Sequence, residues 1–269
     1  MTARLKTVAG ILIVAILLFP LYWMINASLQ PSGALLKPHP DWFPVDGTLD
    51  GYRAAIGSQG GHLLSSVIIA LGTVVVSLTL ALPASYALGQ LKIRGGPVFV
   101  FVLLIVQMIP GIVMANALYT VFSNLGLIDS YLGLVLADST ATIPFAVLLL
   151  RAFMISIPKE LTEASRMDGA GYWRTFFSIV LPVSRNAIVT AGLFSFLFAW
   201  ADFLFAVTLT TGQSVEPITV GIYRFVGNQS ADWNGILATA VLAAIPAAVL
   251  LVVAQRYVVA GLTSGAVKD

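Results

Sequence analysis

The sequence predicts an all-α membrane protein with six transmembrane helices, and two observations carry this prediction. The first is composition: 58% of the 269 residues are hydrophobic and only 10% are charged. A soluble globular domain has about 25% charged residues. Together with a mean hydropathy of +0.94, this indicates that the lipid bilayer is the main solvent of the chain.

The second observation is a series of long apolar segments. A helix needs roughly 20 mainly apolar residues to cross the hydrocarbon core of a bilayer. Six segments meet this requirement, and an even number of spans places both termini on the same side. The predicted spans are residues 8–29, 62–90, 97–118, 131–153, 184–209 and 233–255.

Basic residues predict the orientation, because Lys and Arg are concentrated in cytoplasmic loops. Of the fourteen Lys and Arg residues, all but three fall on the side of the two termini, which is therefore predicted to be cytoplasmic. The residues on that side are Arg4, Lys6, Lys92, Arg94, Arg151, Lys159, Arg166, Arg174, Arg185, Arg256 and Lys268, and those on the other side are Lys37, Arg53 and Arg224.

These patterns predict the organisation of the chain. Residues 8–24 are long for the apolar part of a signal peptide, and no clear cleavage site follows, so the first helix is interpreted as a retained anchor. Pro and Gly residues between the first two spans suit turns. The predicted parts are an N-terminal transmembrane anchor at 1–29, an extracytoplasmic linker at 30–61, a five-helix core at 62–256 with a cytoplasmic loop at 154–183, and a cytoplasmic tail at 257–269.

The 154–183 loop is a polar island that predicts a short, capped helix. Pro158 suits a first helical turn, and Glu160 and Glu163 lie near the positive N-terminal end. Gly169 and Gly171 are typical of a helix end.

One face of this predicted helix carries a single large apolar side chain and several small residues. It is formed by Leu161, Ala164, Ser165 and Asp168, which follow i, i+3, i+4, i+7 spacing. We expect this face to be exposed and to let another surface approach closely, while Lys159 and Arg166 point elsewhere.

Several motifs in the chain resemble those of importer-type ABC permeases. Glu163-Ala164-Ser165, Asp168-Gly169-Ala170 and Ile179-x-Leu181-Pro182 are similar to the cytoplasmic "EAA" signature of that family. The C-terminal segments 255–257 and 261–268 resemble those of carbohydrate-type permeases, the second of two paired membrane subunits in maltose-like systems. The segments 125–130, 157–161 and 200–203 also fit that subgroup, so the resemblance runs from about residue 63 to the end.

The resemblance implies a type I ABC importer permease bundle with a cytoplasmic coupling helix at 157–171. It also implies an importer for a carbohydrate or related polyol, in the plasma membrane of a prokaryote. The implied partners are a second, non-identical permease subunit, two cytoplasmic ATPase subunits and an extracytoplasmic substrate-binding protein. The implied ATPase-coupling residues are Glu160, Glu163, Ala164, Ser165, Asp168, Gly169, Ala170 and Gly171, and the implied C-terminal ATPase contact is Gly265, Ala266, Val267 and Lys268.

The sequence departs from the family pattern at four positions. Ser165 stands where the family usually has Ala, and Ala201 where an Asn usually precedes the Asp. Asn186 replaces a common Pro, and Asp269 replaces a terminal Gly. All the Glu and Gly residues of the loop signature are present.

Two acidic residues fall inside predicted spans, where a charge is costly and usually faces protein or water. Asp138 and Asp202 are therefore candidates for a polar pathway, and Trp200 and Phe203 beside Asp202 would offer aromatic faces to a hydroxylated ligand. The alternative is that each acid is neutral, bonded to neighbouring hydroxyls such as Thr140, or located at the outer interface. Aromatic residues there could equally be interfacial anchors.

The sequence contains no nucleotide-binding, zinc-protease or serine-hydrolase motif, so neither ATP hydrolysis nor other catalysis is predicted. It has no cysteine and only two histidines, so no metal site or resident cofactor is expected, and ATP would be bound by separate subunits. Two alternatives remain at this point. One is an ion-coupled secondary transporter using Asp138 and Asp202, and the other is an intramembrane enzyme using the same pair.

Overall fold

The structure is a computed structural model that describes residues 3–31, 33–36, 41–91, 93–212, 215–228 and 233–266, and in these residues it is helical without strands. The predicted all-α class is therefore confirmed. Several residues named in the sequence predictions lie outside the described residues, namely Lys37, Lys92, Val267, Lys268 and Asp269.

Twelve α-helices form the described part of the chain, with one 3-10 turn at Ala34–Leu36 and one π-helical turn at Phe176–Val180. In chain order they are α1 (Ala3–Ser28), α2 (Asp50–Gln90), α3 (Gly96–Gln107), α4 (Gly111–Leu125), α5 (Tyr131–Ser156), α6 (Lys159–Met167), α7 (Tyr172–Thr175), α8 (Leu181–Val183), α9 (Arg185–Ala201), α10 (Leu204–Leu209), α11 (Ile218–Asn228) and α12 (Trp233–Ala266).

The described helices provide four continuous membrane-crossing candidates, or up to six if each of two bent pairs counts as one span. The continuous ones lie in α1, α2, α5 and α12. The bent pairs are α3 with α4, at 95°, and Tyr172–Val183 with α9, at 79°. The predicted span 97–118 is thus two helices rather than one, because Pro110 cannot donate a helical N–H and the chain turns there.

Helix α2 begins at Asp50, so the second half of the predicted linker is helical. The glycines at 57, 60 and 61 were interpreted as turn signals, and this interpretation was wrong. A glycine inside a helix costs about 1 kcal/mol relative to alanine but keeps its N–H and C=O, so it weakens a helix without ending it. At the other end of the chain, α12 continues to Ala266, past the predicted end at residue 255.

The chain divides into two compact units, residues 1–63 with 220–246 and residues 64–219 with 247–269. In the first unit, the end of α1 is tied to the start of α12. The side-chain amide of Asn234 donates to the backbone oxygens of Ser28, at 2.8 Å, and Gln30, at 2.5 Å. The rings of Trp23 and Trp42 also meet edge to face, with centroids 5.7 Å apart.

The second unit is built around α5, which packs on α3, α4, α9 and α10. Small residues line its contacts, since Ala81, Ala146 and Ala191 are fully buried in one apolar cluster. Small side chains allow helices to approach closely where lipid provides no hydrophobic drive for association. A buried hydrogen bond of 2.7 Å between Ser77 and Thr142 fixes α2 against α5.

A turn between α4 and α5 is clamped to the segment that follows α10. Asp129 adopts a left-handed backbone conformation with φ of 54°. Its carboxylate accepts hydrogen bonds from the backbone N–H groups of Thr211, at 2.6 Å, and Gly212, at 2.8 Å. The backbone N–H of Asp129 donates to the oxygen of Leu209 at 3.0 Å.

Candidate functional site

The predicted loop helix is present as α6, which covers Lys159–Met167 rather than the predicted 157–171, and its two ends have the predicted signals. Pro158 occupies the N-cap position, Glu160 lies in the first turn and Arg166 in the last. The N–H groups of Gly169 and Ala170 close the end by donating to the backbone oxygens of Arg166 and Ser165, both at 3.0 Å. Gly169 has φ of +79°, and no atom lies within 4 Å of the position that a Cβ would occupy, so glycine is required there for backbone conformation rather than for space.

The two faces of α6 differ in exposure. Glu160, Glu163, Ala164 and Asp168 are exposed, as is Leu161. Thr162 and Ser165 are buried. The sequence interpretation that placed Ser165 on the exposed face was therefore wrong.

Ser165 belongs to the inner face because its hydroxyl has a partner there. The oxygens of Ser165 and Thr175 are 3.0 Å apart, and both residues are buried. A serine in place of the usual alanine thus forms a hydrogen bond across the loop. It connects α6 to α7, so the loop has an internal cross-link that an alanine could not make.

Beneath the loop lies an apolar cluster that anchors it to the bundle. Tyr86, Met154, Ile157, Phe176 and Val180 are buried and pack together. The ring centroids of Tyr86 and Phe176 are 5.3 Å apart. The exposed face of α6 is thus supported by a packed apolar base.

A polar cavity of about 450 Å³ adjoins α6 on the side of α2. Lys159, Glu163 and Arg166 contribute charged groups of both signs to its wall, and Gln90 and Tyr172 contribute to the rest. The guanidinium carbon of Arg166 lies 4.8 Å from the centre of the Tyr172 ring, a cation–π geometry that orients Arg166. The site has no described cluster of metal-ligating residues.

A second cavity, of about 300 Å³, lies where the helices of the second unit are broken. Its wall combines the α3–α4 break, the middle of α5, and residues from α9 and α10. Its side chains include Gln107, Thr140, Phe145, Phe198 and Phe205. Broken helices and a few polar groups among aromatic faces are typical of ligand sites at membrane depth.

The predicted pathway residues lie outside the wall of this cavity. Asp138 is buried, with 5% of its surface exposed. The hydroxyls of Ser139 and Thr140 donate instead to the backbone oxygens of Val135 and Ala137, each at 2.6 Å. Each hydroxyl uses its single hydrogen in a backbone bond, so neither hydroxyl donates to the carboxyl group of Asp138.

Asp202 has a structural role at the second helix break. Its carboxylate accepts hydrogen bonds from the N–H groups of Phe205, at 3.3 Å, and Ala206, at 2.9 Å, at the start of α10. This is the bonding of a helix cap. Trp200 is buried and stacks on Phe196 with ring centroids 5.4 Å apart, whereas Phe203 is 38% exposed.

The sequence analysis did not predict the residues that line this 300 Å³ cavity at the helix breaks, here called the helix-break cavity. Gln107 was the available signal, since a polar side chain three residues before Pro110 in an apolar span marks a break with a polar lining. For the predicted C-terminal contact, Gly265 and Ala266 fall within α12, while Val267 and Lys268 lie outside the described residues.

The fold and its candidate spans define a helical membrane protein with an exposed loop helix. The chain belongs to the family described as "Binding-protein-dependent transport system inner membrane component", whose model matches residues 81–264. Because this family serves binding-protein-dependent transport, the alternative of an ion-coupled secondary transporter using Asp138 and Asp202 is wrong.

Curated relatives match nearly the whole chain. The "Trehalose transport system permease protein SugB" of Mycobacterium tuberculosis is 33% identical over 96% of this chain and 94% of the relative. The "Diacetylchitobiose uptake system permease protein DasC" of Streptomyces coelicolor is 30% identical over 94% of this chain and 92% of the relative.

A solved structure shares the fold. It is the "Crystal structure of a bacterial ABC transporter involved in the import of the acidic polysaccharide alginate", and one of its chains matches with a TM-score of 0.79. The match covers 96% of this chain and 99% of the solved chain at 21% identity. The predicted permease fold is therefore confirmed.

Proposed function

We propose that the chain is one of two paired membrane subunits of an ATP-driven importer, and that α6 receives the movement of the ATPase subunits. The observation that carries this proposal is the geometry of α6, which exposes Glu160, Glu163 and Ala164 outward and is anchored on its inner face. A short rigid helix held this way suits insertion into a cleft on another protein. Ser165 would act from the inner face, and Asp168 to Gly171 would form the turn that ends the helix.

The substrate in this proposal is a carbohydrate or related polyol. Two relatives are named for disaccharide uptake, of trehalose and of diacetylchitobiose. The helix-break cavity supports the same class, because Phe145 and Phe198 offer aromatic faces and Gln107 offers an amide without a described partner. Asp138, Trp200, Asp202 and Phe203 would lie beside this pathway and support its shape.

The proposed assembly contains a second, non-identical permease subunit, two ATPases and an extracytoplasmic binding protein. The chain would lie in the prokaryotic plasma membrane with both termini in the cytoplasm, on the side of most basic residues. The 62–256 core would carry the pathway, with the 1–29 anchor and the 30–61 linker outside it. Gly265, Ala266, Val267 and Lys268 would make a second contact with the ATPases.

The proposed mechanism is mechanical. Closure of the ATPases on ATP pushes α6, and the packed base under α6 carries the push into α2, α5 and α9. The bundle then alternates between inward-open and outward-open arrangements, as rigid elements shift between two packings. The binding energy of ATP reaches the pathway through this series of packed helices. The permease itself catalyses no reaction in this mechanism.

The decisive experiment changes the sign of the exposed charge. Glu163→Lys should reduce the amount of ATPase that co-purifies with the permease in mild detergent. It should also reduce the uptake of labelled substrate. The substrate is trehalose, or the disaccharide that cells with the complete system accumulate best. The control is Asp46→Lys, which makes the same change of charge at an exposed position of the first compact unit. It should leave ATPase co-purification and uptake unchanged. Normal co-purification and uptake in Glu163→Lys would overturn the proposal.

A further inference from the structure

The last residue of α2 holds the corner from which α6 departs. The side-chain amide of Gln90 donates one hydrogen bond to the backbone oxygen of Met154, at 2.5 Å, and another to that of Ile157, at 3.1 Å. Helix α5 ends at Ser156 and Pro158 opens α6. Gln90 therefore spans the junction between the two helices.

Close packing brings Gln90 to this junction. A Cβ on the preceding residue, Gly89, would lie 2.7 Å from the Cβ of Met154, so glycine allows α2 to approach α5 there. Met154 is fully buried, and Ile157 is 6% exposed. The junction is thus a fixed point of the apolar base rather than a loose connection.

The two acceptors explain why an amide is suited to this position. The last carbonyl groups of a helix have no partner within the helix, and Pro158 cannot supply an N–H to them. The NH₂ group of a glutamine has two hydrogens, so one side chain can serve both carbonyl oxygens. Loss of the amide would leave the corner held by packing and by one long backbone hydrogen bond, from the N–H of Ile157 to the oxygen of Met154 at 3.4 Å.

We propose that Gln90 is a positioning residue of the importer that makes α6 and α2 move together. This inference rests on the proposed function of α6. Ser165 and Thr175 tie α6 to α7, and Gln90 ties the junction that immediately precedes α6, at Met154 and Ile157, to α2. Without Gln90, a push on α6 is absorbed by bending at Ile157 and Pro158 and does not reach the pathway.

The test separates donor loss from loss of shape. Gln90→Met keeps length and volume and removes both donors, whereas Gln90→Lys keeps donors that the C-terminal end of α5 attracts. The assay uses the complete transporter in proteoliposomes, with binding protein and labelled trehalose or the best-accumulated disaccharide. We expect Gln90→Met to lower the substrate taken up per ATP hydrolysed by about fivefold or more, since fivefold corresponds to the net contribution of one of the two neutral hydrogen bonds that are lost. ATP hydrolysis and ATPase attachment should persist.

Gln90→Lys should restore uptake per ATP to within about twofold of the unmodified protein, a difference below the energy of one hydrogen bond. Gln255→Met, at an exposed position of α12, is the matched control and should leave the ratio unchanged. The proposal is overturned if Gln90→Met keeps the normal ratio, or if Gln90→Lys is as defective as Gln90→Met. If Gln90→Met does not reach the membrane, Gln90→Leu, which also removes both donors, is measured in its place and is judged by the same ratio.

Failure of this inference and failure of the proposed function are distinguishable. If Glu163→Lys detaches the ATPases while Gln90→Met transports normally, α6 is the coupling element and Gln90 has no part in transmission. If Glu163→Lys keeps its ATPases and its uptake, the proposed role of α6 fails, whatever Gln90 does.

Discussion

The loop around α6 and the helix-break cavity are built in opposite ways. The loop is held by local bonds, such as those of Ser165 to Thr175 and of Ala170 to Ser165. The cavity wall is drawn from segments as far apart in sequence as Val106 and Phe205. The internal shape of the loop therefore comes from one short segment, even though distant residues anchor it, whereas the cavity exists only through the packing of several helices of the second unit.

Filling the helix-break cavity should reduce uptake more than any of the changes described below. Ala141 lines its wall, and Ala141→Trp places a large ring inside it. We expect uptake to fall at least about tenfold, equivalent to losing about 1.4 kcal/mol or more of ligand contacts, with ATPase co-purification retained. Ala152→Trp, at an exposed position on the same helix, is the control, and equal uptake by the two variants would show that the cavity is not on the pathway.

Straining the end of α6 should have the next largest effect. Gly169 and Gly126 both end a helix with positive φ, of +79° and +68°, and both have open space around them. Alanine at either position costs roughly 1–2 kcal/mol of backbone energy, so both variants should lose similar thermal stability. Only Gly169→Ala should reduce ATPase co-purification, and a similar reduction in Gly126→Ala would mean that general destabilisation is responsible.

The cross-link between Ser165 and Thr175 should have a smaller effect. Ser165→Ala, Thr175→Val and the double variant form a mutant cycle, and thermal unfolding of the purified complex gives the interaction energy. We expect about 0.5–1.5 kcal/mol, the net contribution of one buried hydrogen bond. Additive effects of the two substitutions would show that the hydroxyls do not stabilise one another.

The smallest effect is expected at Asp202. Asparagine also caps helices, so Asp202→Asn should keep both stability and uptake close to normal, whereas Asp202→Ala should lose about 1 kcal/mol of stability. Uptake assays and thermal unfolding of both variants measure this difference. Loss of uptake in Asp202→Asn with normal stability would instead assign the negative charge a role in transport.

The same contrast explains what the sequence could predict. The bounds of α6 followed from Pro158 and Gly169, which act on the backbone at their own positions. The orientation of Ser165 did not follow, because it depends on where Thr175 lies after the chain has turned. The early start of α2 was missed because the glycines before residue 62 disfavour a helix by about 1 kcal/mol each relative to alanine, a local preference that packing can override.

The cavity was less predictable still. Its aromatic residues, such as Phe145 and Phe198, cannot be distinguished in the sequence from those that face lipid. Asp138 and Asp202 were conspicuous because charge is rare in a span, yet Asp202 caps α10. A buried acid in a membrane helix can serve the backbone as readily as a ligand.

The clamp at Asp129 has a consequence for the order in which the protein acquires its structure. The left-handed turn before α5 is held by N–H groups of Thr211 and Gly212, which leave the ribosome some eighty residues later. Since domains generally fold as units during synthesis, this turn cannot be clamped until the chain has been made through the end of α10. The closing of the clamp therefore marks the point in biosynthesis at which the turn before α5 and the end of α10 have come together.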